Sequence, residues 1–257
     1  MSDSDSDFVS DLEGEIPSGE ETPAEQEFST EPVTDLAEPV APVAVRVKAG
    51  VENEIAQLWS SIFFSAERVA PKLLVTTSAL RREGATQIAV SLAVAGADSH
   101  AQAKIALVDF NVRFPQIARL MGLQPTPGIC EVLRQDVDLE DALVRMNVGQ
   151  LSVLPAGEAG ISATDLLRTD RLRGLTQTLR ETFDHVIFDT PATNLYPHAQ
   201  ILGGLADGVL VVMRTGVTRR ESVAEARRRI EQADGNIVGL VMNQRKYAIP
   251  GFLYRRM

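Results

Sequence analysis

The residues with the clearest chemical potential are Ala79-Leu-Arg-Arg-Glu-Gly84-Ala85-Thr86, which follow a short apolar run and precede a helical stretch. Their context is that of the phosphate-binding pattern G-x-x-x-x-G-K-[ST], with alanine in the lysine slot. In an intact loop, backbone N–H groups and the positive end of the helix hold the phosphates. The lysine reaches the outer phosphate oxygens, and the hydroxyl ligates magnesium. Here the backbone, the helix dipole and Thr86 remain. A charge-assisted hydrogen bond is worth roughly 1.5–3 kcal/mol, so losing two costs about 3–6 kcal/mol, on the order of 10²–10⁴ in affinity. Phosphoryl transfer is expected to suffer more than binding, because that lysine also neutralises charge developing in the transition state. A strand–Gly–Thr–helix junction occurs as well in α/β proteins with no nucleotide role, so the loop alone leaves both readings open. Arg81 and Arg82 offer a substitute cation, although paired arginines on a solvent-facing turn are more often plain surface charge.

Such a loop works only if a strand delivers it and a helix receives it. Short apolar runs recur as KLLVTT (72–77), KIALVDF (104–110), LSVLPAG (151–157), HVIFDTP (185–191), GVLVVMR (208–214) and NIVGLVMN (236–243). Most read as strands buried on both faces. Helical stretches are expected at 86–97, 115–121, 129–144, 169–183 and 219–232, and an amphipathic first helix at 51–65 aligns Ile55, Leu58, Trp59, Ile62 and Phe63. Strand and helix alternating in this way predict an α/β fold with a doubly wound, mostly parallel sheet flanked by helices. Ligands of such sheets sit outside the carboxyl ends of the strands, which is where the loop falls.

Charge is unevenly distributed. Residues 1–45 hold 13 Asp and Glu and no Lys or Arg; the whole chain carries −10, so the remainder carries +3. The first 45 residues are poor in aromatics and rich in Ser and Pro, and a disordered acidic tail is expected there. The segment lacks the basic start and apolar core of a secretory signal, and no apolar run approaches the ~20 residues of a membrane span. A cytoplasmic location follows as an expectation. The single Cys130 excludes an internal disulfide, and with only 3 His no zinc site of usual spacing can be assembled. No basic stripe along the sequence suggests nucleic-acid binding.

Read in order, the segments LVTTSALRREGATQIAVSLA, ALVDFNVRFPQIARLMGL, PTPGICEVL, LSVLPAG, FDHVIFDTPAT, LADGVLVVMRTGVTRRESV and GLVMNQ resemble the bacterial tyrosine kinases of exopolysaccharide and capsule export. The similarity spans residues 51–256 and implies a P-loop NTPase fold, related to partitioning and positioning ATPases of the ParA/MinD type, over a domain at 46–257. By this resemblance Asp109 fills the first acidic position of the second Walker motif and Asp189 that of Walker B, and with Thr86 they form a remnant magnesium site. Gly84, Ala85, Thr86, Arg214 and Asn243 correspond to a remnant nucleotide site, with Asn243 near the adenine base. The plainer alternatives are that the two aspartates cap the turns after their strands and that Arg214 and Asn243 are turn residues. Were the chain active, Asp109 and Asp189 would be its catalytic carboxylates; no other catalytic residue is expected.

Departures from the family pattern accumulate in one cleft. Ala85 replaces lysine, Asn111 stands where the family has a second aspartate, and His198, expected on the surface, occupies another usually acidic position. Asn111 cannot accept a proton as a carboxylate does. The family's C-terminal tyrosine cluster is absent, since only Tyr196, Tyr247 and Tyr254 occur, and its Glu-x-x-Arg-x-x-Arg ring helix aligns with Glu54, Gln57 and Ser60, so self-association by that route is doubtful. The expected function is a catalytically impaired, tyrosine-kinase-like component of a polysaccharide export complex, with weak ATP or ADP plus magnesium as its only cofactor. Its expected partner is a separate inner-membrane co-polymerase that recruits it to the inner face of the membrane, with Trp59 and Phe63 as candidate contacts. The alternative is an active tyrosine kinase or ATPase in which Arg81 or Arg82 serves in place of the lysine.

Overall fold

Alternation along the strands decides which layer each side chain joins. In β1 (Leu73–Ser78), Leu73 and Val75 enter one apolar layer and Leu74 the opposite one. The same split divides β2 (Lys104–Asp109), β5 (His185–Asp189) and β6 (Gly208–Arg214), whose residues are almost all buried. Both faces must therefore be covered by helices, the condition under which parallel sheets are stable. The computed structural model describes residues 51–64, 69–158 and 170–244. The acidic segment at 1–45, together with the disorder expected for it, lies outside them.

Seven strands form one sheet in the order β3-β4-β2-β5-β1-β6-β7, where β4 is Gln150–Leu154 and β7 is Ile237–Asn243. All neighbours are parallel except the two-residue edge strand β3 (Val144–Arg145), which runs antiparallel to β4. One face is covered by α1 (Glu52–Phe63), α2 (Ala85–Ser99) and α3 (Ile117–Met121). The other is covered by α4 (Ile129–Arg134), α5 (Leu139–Ala142), α6 (Asp170–Thr182), α7 (His198–Gly203) and α8 (Arg220–Glu231). The doubly wound expectation is thus met, with three local corrections. The helix expected at 129–144 is two short helices: Gln135 adopts φ +65 and stops α4, and Val144 already belongs to β3. The helix expected from 115 starts at Ile117, because Pro115 and Gln116 belong to the turn that Asp109 holds. Strand β7 is a sheet edge, not a doubly buried strand, and leaves Leu240 and Met242 exposed.

Helix α1 is fixed by its aromatic residues. Trp59 is 1% exposed and packs 4.1 Å from Phe63, 5.4 Å from His185 and 6.2 Å from His100, centroid to centroid. Its six-membered ring fills the space beside Gly96 of α2, where even a methyl group would collide with it. Trp59 and Phe63, expected as partner contacts, are instead buried within the chain. At the same end of the sheet, Asp207 accepts the N–H groups of Lys72 and Leu73 and a two-pronged ion pair from Arg180, which ties the starts of β1 and β6 to α6. Truncating a large buried aromatic costs about 3–5 kcal/mol. Trp59→Ala is therefore expected to lower the stability of the domain by that order, read as a reduced urea midpoint followed by circular dichroism.

Candidate functional site

Four loops meet at the carboxyl edge of the central strands. The first, between β1 and α2, is organised around a carboxylate. Glu83, only 4% exposed, accepts the Leu80 N–H at 2.8 Å and, through its other oxygen, the Thr218 hydroxyl from the loop after β6. Its carbonyl accepts the Asn243 side-chain amide at 2.9 Å. Gly84 follows at φ +95, and a side chain there would collide with the Asn243 amide, so glycine is required on both counts. Arg82 also takes the left-handed conformation at φ +65, which costs a non-glycine residue roughly 1–2 kcal/mol. The loop is thus a braced, strained turn leading directly into the N-terminus of α2.

Ala85 is the first residue of α2 and is 7% exposed, its methyl group counted among the apolar layer formed with α1 and α2. Thr86 follows and donates its hydroxyl to Asp189 Oδ2 at 2.7 Å. Parallel pairing of β2 with β5 sets Asp109 directly beside Asp189. The two carboxylates differ in their surroundings. Asp109 accepts three backbone N–H groups, from Asn111 at 3.0 Å, Gln116 at 3.2 Å and Ile117 at 3.1 Å, so it shapes the turn into α3. Asp189 has one partner, Thr86, and its Oδ1 is buried without any. Burial pushes the Asp109 carboxyl up to about 6 against the pull of its three N–H donors. Burial, reinforced by the neighbouring Asp109 charge, pushes Asp189 well above the usual carboxylate range.

The fit to a hard divalent cation can be judged from the donors. Thr86, Asp109 and Asp189 offer only oxygen, and Asp189 Oδ1 lacks a partner, which suits magnesium. Among the described residues no group of three or more His, Cys, Asp or Glu could hold a metal by itself. Two carboxylates and a hydroxyl suit a magnesium ion that keeps its waters and shares a phosphate ligand. Of the residues expected at a nucleotide site, Gly84, Ala85 and Thr86 lie together. Asn243 braces the loop through Glu83, and Arg214 lies beside it in the β6–β7 pairing, with its backbone N–H donated to Thr218.

His198 departs from expectation. It lies fully buried at the start of α7, where burial and the Arg113 guanidinium push it down to about 4, so it is neutral near pH 7. Neither ring nitrogen has a hydrogen-bond partner. Tyr196 contacts it edge-on at 6.3 Å, and the Arg113 guanidinium lies 5.2 Å from the Tyr196 ring centroid. Arg81 is also committed: its guanidinium lies 3.9 Å over the Phe114 ring. The organising roles of Glu83, Thr218 and Arg113 were not anticipated from sequence. The one available signal was a carboxylate inside a loop whose chemistry calls for anion binding.

Because the folded state keeps a proton on Asp109 that the unfolded chain releases above its usual value of 3.8, this group's stabilising contribution is complete below about pH 4. It is lost as pH rises through about 6. Asp189 adds to the same trend. Asp189→Asn keeps an acceptor for Thr86 and removes the buried charge. It is expected to stabilise the metal-free protein at about pH 7.5 by roughly 1–3 kcal/mol, with a smaller gain at about pH 5, measured by chemical denaturation at the two pH values.

No family model matches the chain. Among curated relatives, the tyrosine-protein kinase YwqD of Bacillus subtilis strain 168 is 32% identical over 184 residues, covering 72% of this chain and 76% of that protein. The tyrosine-protein kinase CpsD of Streptococcus agalactiae serotype III is 29% identical over 178 residues, 67% of this chain and 74% of that protein. Among solved structures, the kinase domain of the Escherichia coli tyrosine kinase ETK superposes with a TM-score of 0.71 at 24% identity, covering 84% of this chain and 86% of that one. The septum site-determining protein MinD of Pyrococcus horikoshii, complexed with Mg-ADP, superposes with a TM-score of 0.57 at 18% identity, covering 72% and 76%. These two likenesses establish the fold, a P-loop NTPase-like parallel sheet with flanking helices. With a loop opening α2 at the end of β1, paired aspartates at the ends of β2 and β5, and this degree of identity to YwqD, the chain belongs to the bacterial tyrosine-protein kinase family.

Proposed function

We propose that this chain is a catalytically impaired member of its family, retained as an assembling or regulatory component of an exopolysaccharide or capsule export complex. The observation that carries the reading is Ala85. The slot that requires a cation holds a methyl group set into the apolar layer beneath the loop. Two further features support it. Glu83 already accepts the Leu80 N–H, and Arg81, one of the two candidate substitute cations, is engaged with Phe114. What remains for a nucleotide is the helix N-terminus, the braced loop and the Thr86–Asp109–Asp189 oxygens, which suit weak ATP or ADP with magnesium. Magnesium would be held by those oxygens and would supply charge neutralisation to a bound phosphate.

The setting rests on the family resemblance: a separate inner-membrane co-polymerase would recruit the domain to the inner face of the membrane. No described helix is long and apolar enough to cross a membrane. With Trp59 and Phe63 buried, such a partner would have to engage other surfaces.

Calorimetric titration with magnesium ATP tests the reading. The unmodified protein is expected to bind in the millimolar range or not measurably, and Ala85→Lys to tighten binding by on the order of 10²–10⁴. Micromolar binding by the unmodified protein, accompanied by ATP turnover, would instead establish the alternative, an active tyrosine kinase or ATPase with a non-standard phosphate loop.

A further inference from the structure

The loops after β1, β2, β5 and β6 carry an imbalance that the linear sequence disperses. Residues 79–86, 110–116, 190–197 and 214–220 contain Arg81, Arg82, Arg113, Arg214, Arg219 and Arg220 but a single carboxylate, Glu83, which is buried and hydrogen-bonded. Five of the six arginines are exposed and Arg214 is half-buried. The loops are contiguous. Arg81 lies over Phe114, Phe114 lies 6.1 Å from Tyr196, Glu83 meets Thr218, and the Asn194 side-chain amide donates to the Ser222 carbonyl at 2.8 Å. Exposed apolar side chains punctuate the same rim: Phe114 is 38%, Leu195 51% and Val217 61% exposed.

A rim of arginines interrupted by apolar side chains fits an acidic segment that is itself interrupted by apolar residues. Such a segment is present in the chain. Residues 3–16 read DSDSDFVSDLEGEI, six carboxylates interleaved with Phe8, Val9, Leu12 and Ile16, and no Lys or Arg occurs before residue 46. We propose that this acidic segment docks on the arginine rim of its own chain. The inference does not depend on whether phosphoryl transfer survives, because the rim charges lie outside the lysine slot. Reach is sufficient. If the 35 residues from 16 to 51 are treated as a random coil, their root-mean-square span is about 30–35 Å. The tether also supplies an effective concentration on the order of millimolar, so weak contacts suffice.

The chemistry makes the contact sensitive to salt and to both partners. A nitroxide attached at Ser4→Cys in the full chain, where Cys130 is buried and does not compete for the label, reports the contact through loss of amide NMR signals. Signals of residues 81–84, 113–114 and 216–220 are expected to be broadened, with those of α5 and β3 spared. Raising the ionic strength from about 0.01 M to 1 M, which shortens the screening length from roughly 30 Å to 3 Å, should restore them. Charge reversal by Arg81→Glu with Arg113→Glu and Arg219→Glu, and separately Phe8→Ala with Leu12→Ala, should also restore them; the second pair leaves the folded domain untouched. Unbroadened rim signals at low salt would overturn the proposal. So would equal broadening in a mixture of labelled, unenriched molecules with unlabelled, isotope-enriched ones, since the acidic segment would then act on a second copy.

Discussion

A parallel sheet buried on both faces leaves charged side chains only its two ends, and this constraint organises the molecule. Leu74, Ile105, Leu107, Ile187 and Leu210 fill one layer while Leu73, Val75, Val108, Phe188 and Val211 fill the other. Between their first and last residues, β1, β2, β5 and β6 therefore carry no charge. Asp109 and Asp189 stand at that boundary, paired in register because β2 and β5 run in the same direction. Desolvation follows from the same burial and explains why both carboxyls are pushed upward. The site is chemically tense because of the layers that stabilise it, a common circumstance where ionisable groups gather in a cleft.

The phosphate loop shows what happens when one element of such a site changes. The turn retains its shape without a lysine because other contacts hold it: Glu83 to Leu80 and Thr218, Asn243 to the Glu83 carbonyl, and glycine at position 84, where a side chain would strike Asn243. Shape and charge are therefore separable in this loop. The bracing comes from the ends of β6 and β7, far along the chain, so loss of the cation need not disturb the fold.

Much of this was legible in the sequence. Six apolar runs predicted six strands, and the order of motifs pointed to the family that the identity to YwqD then established. Local misreadings have specific causes. The helix expected at 129–144 breaks because Gln135 adopts a left-handed conformation, which no glycine announced. His198, expected on the surface, is fully buried. It is buried because α7 packs against β1 and β6, a short helix whose six residues carry too little periodicity to detect. Trp59 and Phe63 were correctly placed on one helical face, but only the small Gly96 on α2 explains why that face closes inward.

The sequence by itself determined the layered α/β architecture, the absence of a lysine in the loop and the segregation of acid into the first 45 residues, because each is written in local composition or periodicity. Tertiary structure alone decided that Asp109 holds a turn while Asp189 keeps an unpartnered oxygen, that Glu83 is the loop's internal anchor, and that six scattered arginines share one rim. The pairings of Asp189 with Thr86 and of Glu83 with Thr218 join residues more than a hundred positions apart. They arise from strand order and register, which no local pattern encodes.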